Sequence, residues 1–117
     1  MKRTGQIKPV RHVGKNKIAK QRLAVMKKLA RQEGLAIRVD PRLTPTPFRA
    51  MNPRAARELH QPYIPRTITF QPNLKKNLPM LAMDINHELI EYEKIGQGWH
   101  YKAAHKCANR KQRHFSA

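Results

Sequence analysis

A chain of 117 residues with 39% apolar content can form one small domain with a modest core. Its 25 lysine and arginine residues against 7 acidic ones give a net charge of +18, which favours nucleic acid or an acidic protein surface as a partner. No apolar run reaches the roughly 20 residues of a membrane span, so no membrane partner is expected. The N-terminus lacks the apolar segment of a secretory signal, and the single cysteine excludes an internal disulfide. We therefore expect a cytoplasmic protein.

The N-terminal part combines a basic arm with a basic helix. Residues 1–15 carry no acid and no hydrophobic period, which predicts a disordered arm. From about 17 to 32, apolar residues recur at helical spacing, and Gly34 is placed to end the helix. The predicted buried face consists of Ala19, Leu23, Met26 and Ala30, widened by Val25 and Leu29.

The rest of this helix surface is cationic. Such a face contacts phosphates when nucleic acid is the partner, and is otherwise only a solvated surface. Both interpretations stay open. The candidate nucleic-acid-binding residues are Lys17, Lys20, Arg22, Lys27, Lys28 and Arg31.

The residue pattern in the middle of the chain predicts short secondary-structure elements joined by proline-rich segments. Strands are expected at 35–39 and 66–70, where β-branched residues cluster. Three prolines within 41–47 favour an extended track. The Asn52-Pro53 pair is a suitable helix start, so 53–60 is predicted as a short helix. The expected division of the chain is an arm at 1–15, a basic helix with its extended connection at 16–62, and a site domain at 63–117.

Two further helices are predicted near the C-terminus, at about 78–95 and 99–114. Gly96 and Gly98 separate them, and so short a connection makes two helices pack as a hairpin or an L. The predicted fold class is therefore α+β and mainly helical. The apolar face of the first helix is Leu81, Ile85, Leu89 and Tyr92. In the second helix the residues expected to face inward are Trp99, Ala103 and Cys107, with Ala104 and Ala108.

The first of these helices carries an acidic stripe in an otherwise basic protein. Asp84, His87, Glu88 and Glu91 lie three and four residues apart and share a face largely opposite the apolar one. His87 and Glu91, at i and i+4, can reach one point off the helix. An imidazole together with a carboxylate suits zinc.

A third ligand has to come from the following helix, where His105 is the natural candidate. Three protein ligands with one open position are the arrangement of a catalytic zinc site. Glu88 is then placed as a general base, and Asp84 as an outer residue that orients the second ring nitrogen of His87. The alternative is structural: Glu88 and Glu91 pair with nearby cations, and His87 is a surface residue. The cations in reach are Lys94, Lys106 and Arg110.

The same residues resemble the pattern of a known family. The run His87-Glu88-x-x-Glu91, followed by Gly98 and by Tyr101-x-x-Ala104-His105-x-x-Ala108, is similar to small zincin-like proteins of phages and bacterial mobile elements. Upstream, Tyr63-Ile64-Pro65-Arg66 resembles a segment that precedes the helix in that group, so the resemblance covers about the last 55 residues.

This resemblance implies a peptidase-like zinc site in a bacterial cytoplasm or a virion. Its ligands would be His87, Glu91 and His105, with Glu88 as the base. The helix that is usually acidic in that group is basic here at Asn109-Arg110-Lys111. Because this helix is basic here, an anionic substrate is expected.

Two functions follow from these observations. The first is a zinc-dependent, peptidase-like hydrolase with a basic extension that attracts nucleic acid. The second is a non-enzymatic nucleic-acid-binding protein, such as a virion or ribosome-associated component. Outside the stripe, His100 is expected on the surface, Cys107 in the interior, and Trp99 packed at a helix start.

Overall fold

The structure is a computed structural model that describes the backbone of residues 2–116 and the side chains of residues 16–111. Helices and short strands in this range make a mainly helical α+β fold, as the sequence predicts. The helices are α1 Lys2–Gln32, α2 Pro53–Leu59, α3 Leu78–Gly96 and α4 Tyr101–Ser116. The strands are β1 Ala36–Val39, β2 Ala50–Met51 and β3 Thr67–Phe70. The backbone is helical from Lys2, so α1 begins well before the predicted start at about residue 17. The side chains of the predicted arm at 1–15 lie outside the described part.

The first helix, α1, ends through a glycine, as its sequence predicts. Gly34 has a φ of +74°, and the Leu35 N–H donates to the Ala30 carbonyl at 2.8 Å, which is the hydrogen bond of a Schellman motif. The expected buried face at Ala19, Leu23, Met26 and Ala30 is confirmed.

The predicted widening of that face by Val25 and Leu29 is wrong. These two side chains are 57% and 48% exposed, and Ile18 is also exposed. The reason is that the sheet and α3 cover only one sector of α1. The aliphatic residues at the edge of that sector stay in contact with solvent.

The sheet has the strand order β1-β3-β2, with β1 parallel and β2 antiparallel to the central β3. Ile37 pairs with Ile68, and Met51 pairs with Thr69. The predicted strands at 35–39 and 66–70 are confirmed as β1 and β3. The sequence analysis missed β2, because two residues are too few to show an alternating pattern.

The segment between β1 and β2 is not simply an extended track. Pro41–Leu43 forms one turn of 3-10 helix, and the Asp40 carboxylate caps this turn by accepting a hydrogen bond from the Arg42 N–H at 3.0 Å. Proline is compatible with the first position of such a turn, because its fixed φ is helical and its missing N–H is not needed there.

The helix α3 lies between the two packed regions of the molecule and contacts α1, α2, α4 and β2. Leu81 and Ile85 are buried in the main core with α1 and the sheet. The other side of α3 faces α4 and a smaller apolar cluster. That cluster consists of Leu43, Met51, Ala55 and Ala56.

The inward face of α4 differs in part from the predicted one. Ala104, Cys107 and Ala108 are buried as expected, but Ala103 and Trp99 are exposed. The face that packs on α3 follows the spacing of three and four residues counted from the start of α4 at Tyr101. Trp99 precedes that start, and the Lys94 ammonium lies 5.2 Å from the centre of its ring. Among the described residues, no helix has both the length and the apolar character that crossing a bilayer requires.

Candidate metal centre

Three side chains from α3 and α4 converge on one point. His87 Nε2 lies 2.6 Å from Glu91 Oε2 and 3.1 Å from His105 Nδ1. His105 Nδ1 lies 2.5 Å from the same Glu91 oxygen. His87 and Glu91 are buried, and His105 is half-buried. The three residues predicted as metal ligands are therefore brought together, and this group could hold a metal ion.

Local structure explains why the chain brings these atoms together. His87 and Glu91 are one helical turn apart on α3, so their side chains point to the same side. Gly98, with a φ of +99°, allows the tight connection that folds α4 back onto α3. The start of α4 is anchored from α2, because Glu58 Oε2 accepts a hydrogen bond from the Tyr101 N–H at 2.7 Å. His105 follows one turn later and meets His87.

Aromatic contacts hold the His105 ring in place. It meets the His87 ring edge-on, with 4.8 Å between ring centres and 72° between ring planes. The Tyr101 ring stacks on its other side at 5.2 Å and 27°. The Tyr101 hydroxyl lies 3.2 Å from His105 Nδ1, the atom that faces Glu91.

The chemistry of this donor set fits a metal ion. If both imidazole nitrogens carried protons, two N–H groups would point at one oxygen while only 3.1 Å separates the nitrogens. With a cation between them, all three atoms instead present lone pairs to it. Two imidazole nitrogens and one carboxylate oxygen are ligands of borderline metals such as zinc. Tetrahedral zinc bonds of about 2.0–2.2 Å need ligand atoms about 3.3 Å apart, which small side-chain shifts would provide.

Glu88 lies beside this group and is held by one residue. Its Oε1 accepts hydrogen bonds from the Asn52 backbone N–H at 2.7 Å and from Asn52 Nδ2 at 3.0 Å. Asn52 Nδ2 also donates to Glu91 Oε1 at 3.3 Å, and Asn52 Oδ1 caps α2 by accepting from the Ala55 N–H. A single buried asparagine therefore starts α2 and orients both carboxylates.

Burial changes the acidity of Glu88 and Tyr101. It raises the pKa of Glu88 well above its ordinary value of 4.5, and the charge of Glu91 raises it further, while the two bonds from Asn52 act in the opposite direction. Burial together with the charges of Glu91 and Glu88 raises the pKa of Tyr101 to about 12. Tyr101 is therefore a neutral hydrogen-bond donor near neutral pH.

The converging atoms line a cleft of about 280 Å³. One wall is the segment 47–51, which includes β2, and the other is formed by the polar stripe of α3 with Tyr101, His105 and Asn109 of α4. A cleft of this size approaches the lower range of small-molecule sites. The three converging side chains therefore line a space that can admit a small molecule.

Asp84 lies one turn before His87 in the same cleft and pairs with Arg49. Arg49 Nε donates to Asp84 Oδ2 at 2.9 Å, and Arg49 Nη2 donates to Asp84 Oδ1 at 3.0 Å. Burial raises the pKa of Asp84, whereas the hydrogen bonds and charge of Arg49 lower it. The predicted role of Asp84 in orienting the second ring nitrogen of His87 stays a prediction.

The structural alternative considered for the stripe is wrong. His87, Glu88 and Glu91 are buried, and the described partners of the two glutamates are Asn52, His87 and His105 rather than Lys94, Lys106 or Arg110. His100 is 94% exposed and Cys107 is buried, as predicted.

The cations proposed for nucleic acid lie apart from this centre. All six are exposed on α1, and none of them lines the cleft. The six are Lys17, Lys20, Arg22, Lys27, Lys28 and Arg31.

Sequence reasoning missed three residues of the site. Asn52 was recognised only as a helix cap, Tyr101 only as part of a motif, and Arg49 not at all. Asn52 and Arg49 are 36 and 35 positions from the side chains that they bind, so no local spacing indicates these contacts. A buried stripe of acids does require donors, and this requirement was the available signal.

Comparisons with protein-family profiles, with curated proteins and with solved structures gave no match to this chain. The resemblance to zincin-like proteins therefore stays a prediction.

Proposed function

We propose that this protein is a zinc-dependent hydrolase that cleaves peptide-like amide bonds, with a basic helix that brings it to anionic partners. One observation carries the proposal: His87 Nε2, Glu91 Oε2 and His105 Nδ1 converge, and their residues line a cleft together with Glu88. A zinc ion held by these three atoms would supply a Lewis acid that polarises a carbonyl and increases the acidity of water.

Glu88 is the general base of this proposal. The bonds from Asn52 both go to Oε1, so they fix the carboxylate within the cleft. Burial and the charge of Glu91 raise the pKa of Glu88, which makes its carboxylate a stronger base. Glu88 removes one proton from the attacking water, and the remaining hydroxide oxygen bonds to the carbonyl carbon. When the C–N bond breaks, Glu88 delivers that proton to the leaving nitrogen.

Tyr101 is placed to stabilise the charge that develops on the carbonyl oxygen. Its hydroxyl lies 3.2 Å from His105 Nδ1 and lines the cleft. When the lone pair of this nitrogen is used for a metal ion, the hydroxyl is available to donate elsewhere. A neutral donor in a partly buried site stabilises a developing oxyanion.

Elemental analysis of the full chain, purified without chelator, tests the proposal. We expect about one equivalent of zinc in the protein and in Glu88→Gln, because Glu88 is not a ligand. Glu88→Gln should lose activity on amide substrates by about 10²–10⁴-fold, which is the usual contribution of a general base. His105→Ala should lose the metal.

His100→Ala is the matched control, because His100 is an exposed histidine on the same connection. It should keep both metal and activity. Protein that holds only a trace of zinc, or a Glu88→Gln variant as active as the parent chain, would contradict the proposal.

A second candidate function is nucleic-acid binding without catalysis. The observation that favours it is the cationic surface of α1: residues 16–32 include six exposed lysine and arginine residues and no acid. This candidate predicts binding that is indifferent to chelators. The two functions are compatible, since the α1 cations and the cleft do not share residues.

A further inference from the structure

We propose that Arg49 binds a carboxylate of the substrate, so that the preferred substrates are acylated amino acids or peptides whose C-terminal carboxylate lies next to the cleaved bond. This inference rests on the proposed hydrolase function. The inference adds a substrate class and a specificity-determining residue to that proposed function.

The guanidinium of Arg49 is fixed and still has a free edge. Its Nε and Nη2 donate to the two oxygens of Asp84, at 2.9 and 3.0 Å. Asp84 is buried, while the Arg49 side chain is 48% exposed. These bonds use two of the five N–H donors of arginine. Among the described side chains Arg49 bonds only Asp84, so the Nη1–Nη2 edge remains for a second carboxylate.

The backbone of Arg49 and its pairing with Asp84 place this residue in the wall of the cleft. The Arg49 carbonyl accepts a hydrogen bond from the Gln71 N–H at 2.8 Å, which ties the residue to the sheet just before β2. Arg49 lines the cleft, and it is the only lysine or arginine among the described residues that do so. A cation that is held in one orientation loses little entropy when it binds an anion.

The Arg42–Asp40 pair shows what a purely structural pair looks like in this chain. It also joins a buried aspartate to a half-exposed arginine, and Arg42 Nη2 lies 2.8 Å from Asp40 Oδ2. Its two residues are neighbours in sequence and cap a 3-10 turn, and neither lines the cleft. Arg49 differs because it reaches 35 positions along the chain to a residue beside the centre.

The spacing along α3 sets the kind of substrate. Asp84 precedes His87 by three residues and Glu88 by four, which is about 4.5–6 Å of helix rise. One residue of an extended chain covers about 3.8 Å. The two lengths are of the same order, so we infer that the amide bond next to a carboxylate held by Arg49 is the bond that reaches the converging ligands. The apolar side chains of Phe48 and Met51 in the same wall suit the side chain of that residue.

The test compares two substrates that differ in one group. The zinc-loaded full chain is assayed with N-benzoyl-glycyl-phenylalanine and with its C-terminal amide. We expect kcat/KM to be about 10–100-fold higher for the free carboxylate, because the free edge of Arg49 forms charge-assisted hydrogen bonds with a carboxylate and not with an amide. Arg49→Gln should remove most of this preference, mainly through KM, and Arg49→Lys should retain part of it.

Arg42→Gln is the matched control, because it removes the same charge from a pair of similar geometry outside the cleft. It should leave the preference unchanged. If Arg49→Gln is too unstable for assay because Asp84 loses its partner, Arg49→Gln combined with Asp84→Asn removes both charges together. A carboxylate preference that persists in Arg49→Gln, or in its combination with Asp84→Asn, would overturn the inference, because the metal or the overall positive field would then be its source.

A binding measurement separates this inference from the proposed function. The affinities of the same two compounds for zinc-loaded Glu88→Gln, with and without Arg49→Gln, are measured by calorimetry. Tighter binding of the carboxylate, lost with Arg49→Gln, supports carboxylate recognition even if neither compound is hydrolysed by the parent chain. Equal affinities for the two compounds would overturn it even if both are hydrolysed.

Discussion

At the scale of single residues, the site is a set of buried polar groups that satisfy one another. Within the described part of the chain, no buried side-chain nitrogen or oxygen lacks a hydrogen-bond partner. Asn52 is central to this result, because its side chain and backbone bond Glu88, Glu91 and the start of α2. Burying two carboxylates side by side is costly without such donors. A metal ion would offset the remaining negative charge.

The raised pKa of Glu88 predicts how the zinc-free protein responds to pH. A carboxyl group whose pKa is higher in the folded state stabilises the fold fully below its unfolded value, near 4.5, and this contribution is lost as pH rises through the folded pKa. In chelator, the free energy of unfolding of the parent chain relative to Glu88→Gln should therefore fall as pH rises above about 4.5.

Urea unfolding of both proteins at each pH measures this difference. Glu88→Gln is the reference for the parent chain, since Asp84 and the histidines are the same in both proteins and their titration cancels in the difference. A difference that stays constant with pH, or increases, would show that Glu88 is ionised in the fold over this range.

Local spacing predicted the three candidate metal ligands but not the residues that contact them or the carboxylates beside them. His87 and Glu91 follow from the i, i+4 rule, and His105 follows from the short connection between two helices. Asn52, Arg49 and Tyr101 acquire their roles from contacts between elements. Those contacts depend on how α2, β2 and α4 dock on α3, which residue spacing does not specify.

At the scale of elements, α3 is the helix that uses two faces for different purposes. Its apolar face joins the core with α1 and the sheet, and its polar face builds the centre with α2 and α4. The predicted period of α3 was confirmed for this reason, since both faces are covered. The predicted buried face of α1 was too wide, because only one side of this helix is covered by other elements.

Neighbouring residues of α1 should therefore differ sharply in their tolerance of charge. Met26 is 3% exposed, whereas Val25 is 57% exposed. Met26→Lys buries an unpaired cation and should lower the free energy of unfolding by about 3 kcal/mol or more. Val25→Lys should change it by no more than about 0.5 kcal/mol.

Chemical denaturation of the two variants checks this expectation. Each substitution adds the same charge to the same turn, so Val25→Lys controls for the effect of charge on α1. Comparable destabilisation by both substitutions would mean that the sector of α1 around Val25 is covered in solution.

At the scale of the whole molecule, charges are separated between inside and outside. The protein carries +18, yet Asp84, Glu88 and Glu91 are buried around the cleft. The positive field that remains at the surface attracts anions over a distance and is weakened by salt. The six exposed cations of α1 are one described part of this field.

Binding to a generic DNA duplex should therefore weaken steeply with salt. Removing one lysine–phosphate pair reduces the slope of log K against log salt by about 0.9. Replacing Lys20 and Lys27 on α1 by glutamine removes up to two such pairs and should reduce that slope by up to about 1.8. Fluorescence anisotropy over a salt series measures the slope.

The matched control replaces Lys75 and Lys76 by glutamine, two exposed lysines of the 3-10 turn at Pro72–Lys76. It removes the same charge and should leave the slope nearly unchanged. Equal reductions by the two double substitutions would show that binding depends on the total charge rather than on α1.

The sequence by itself determined the charge, the mainly helical α+β class, the bounds of most elements and three residues that can share a metal ion. These features depend on residue type and on short-range periodicity, which the chain carries locally. The tertiary structure decided which aliphatic residues of α1 are covered, that β2 completes the sheet, and that Asn52, Arg49 and Tyr101 surround the centre. These features depend on docking between elements distant in sequence, where packing and the need to pair buried charges select the arrangement.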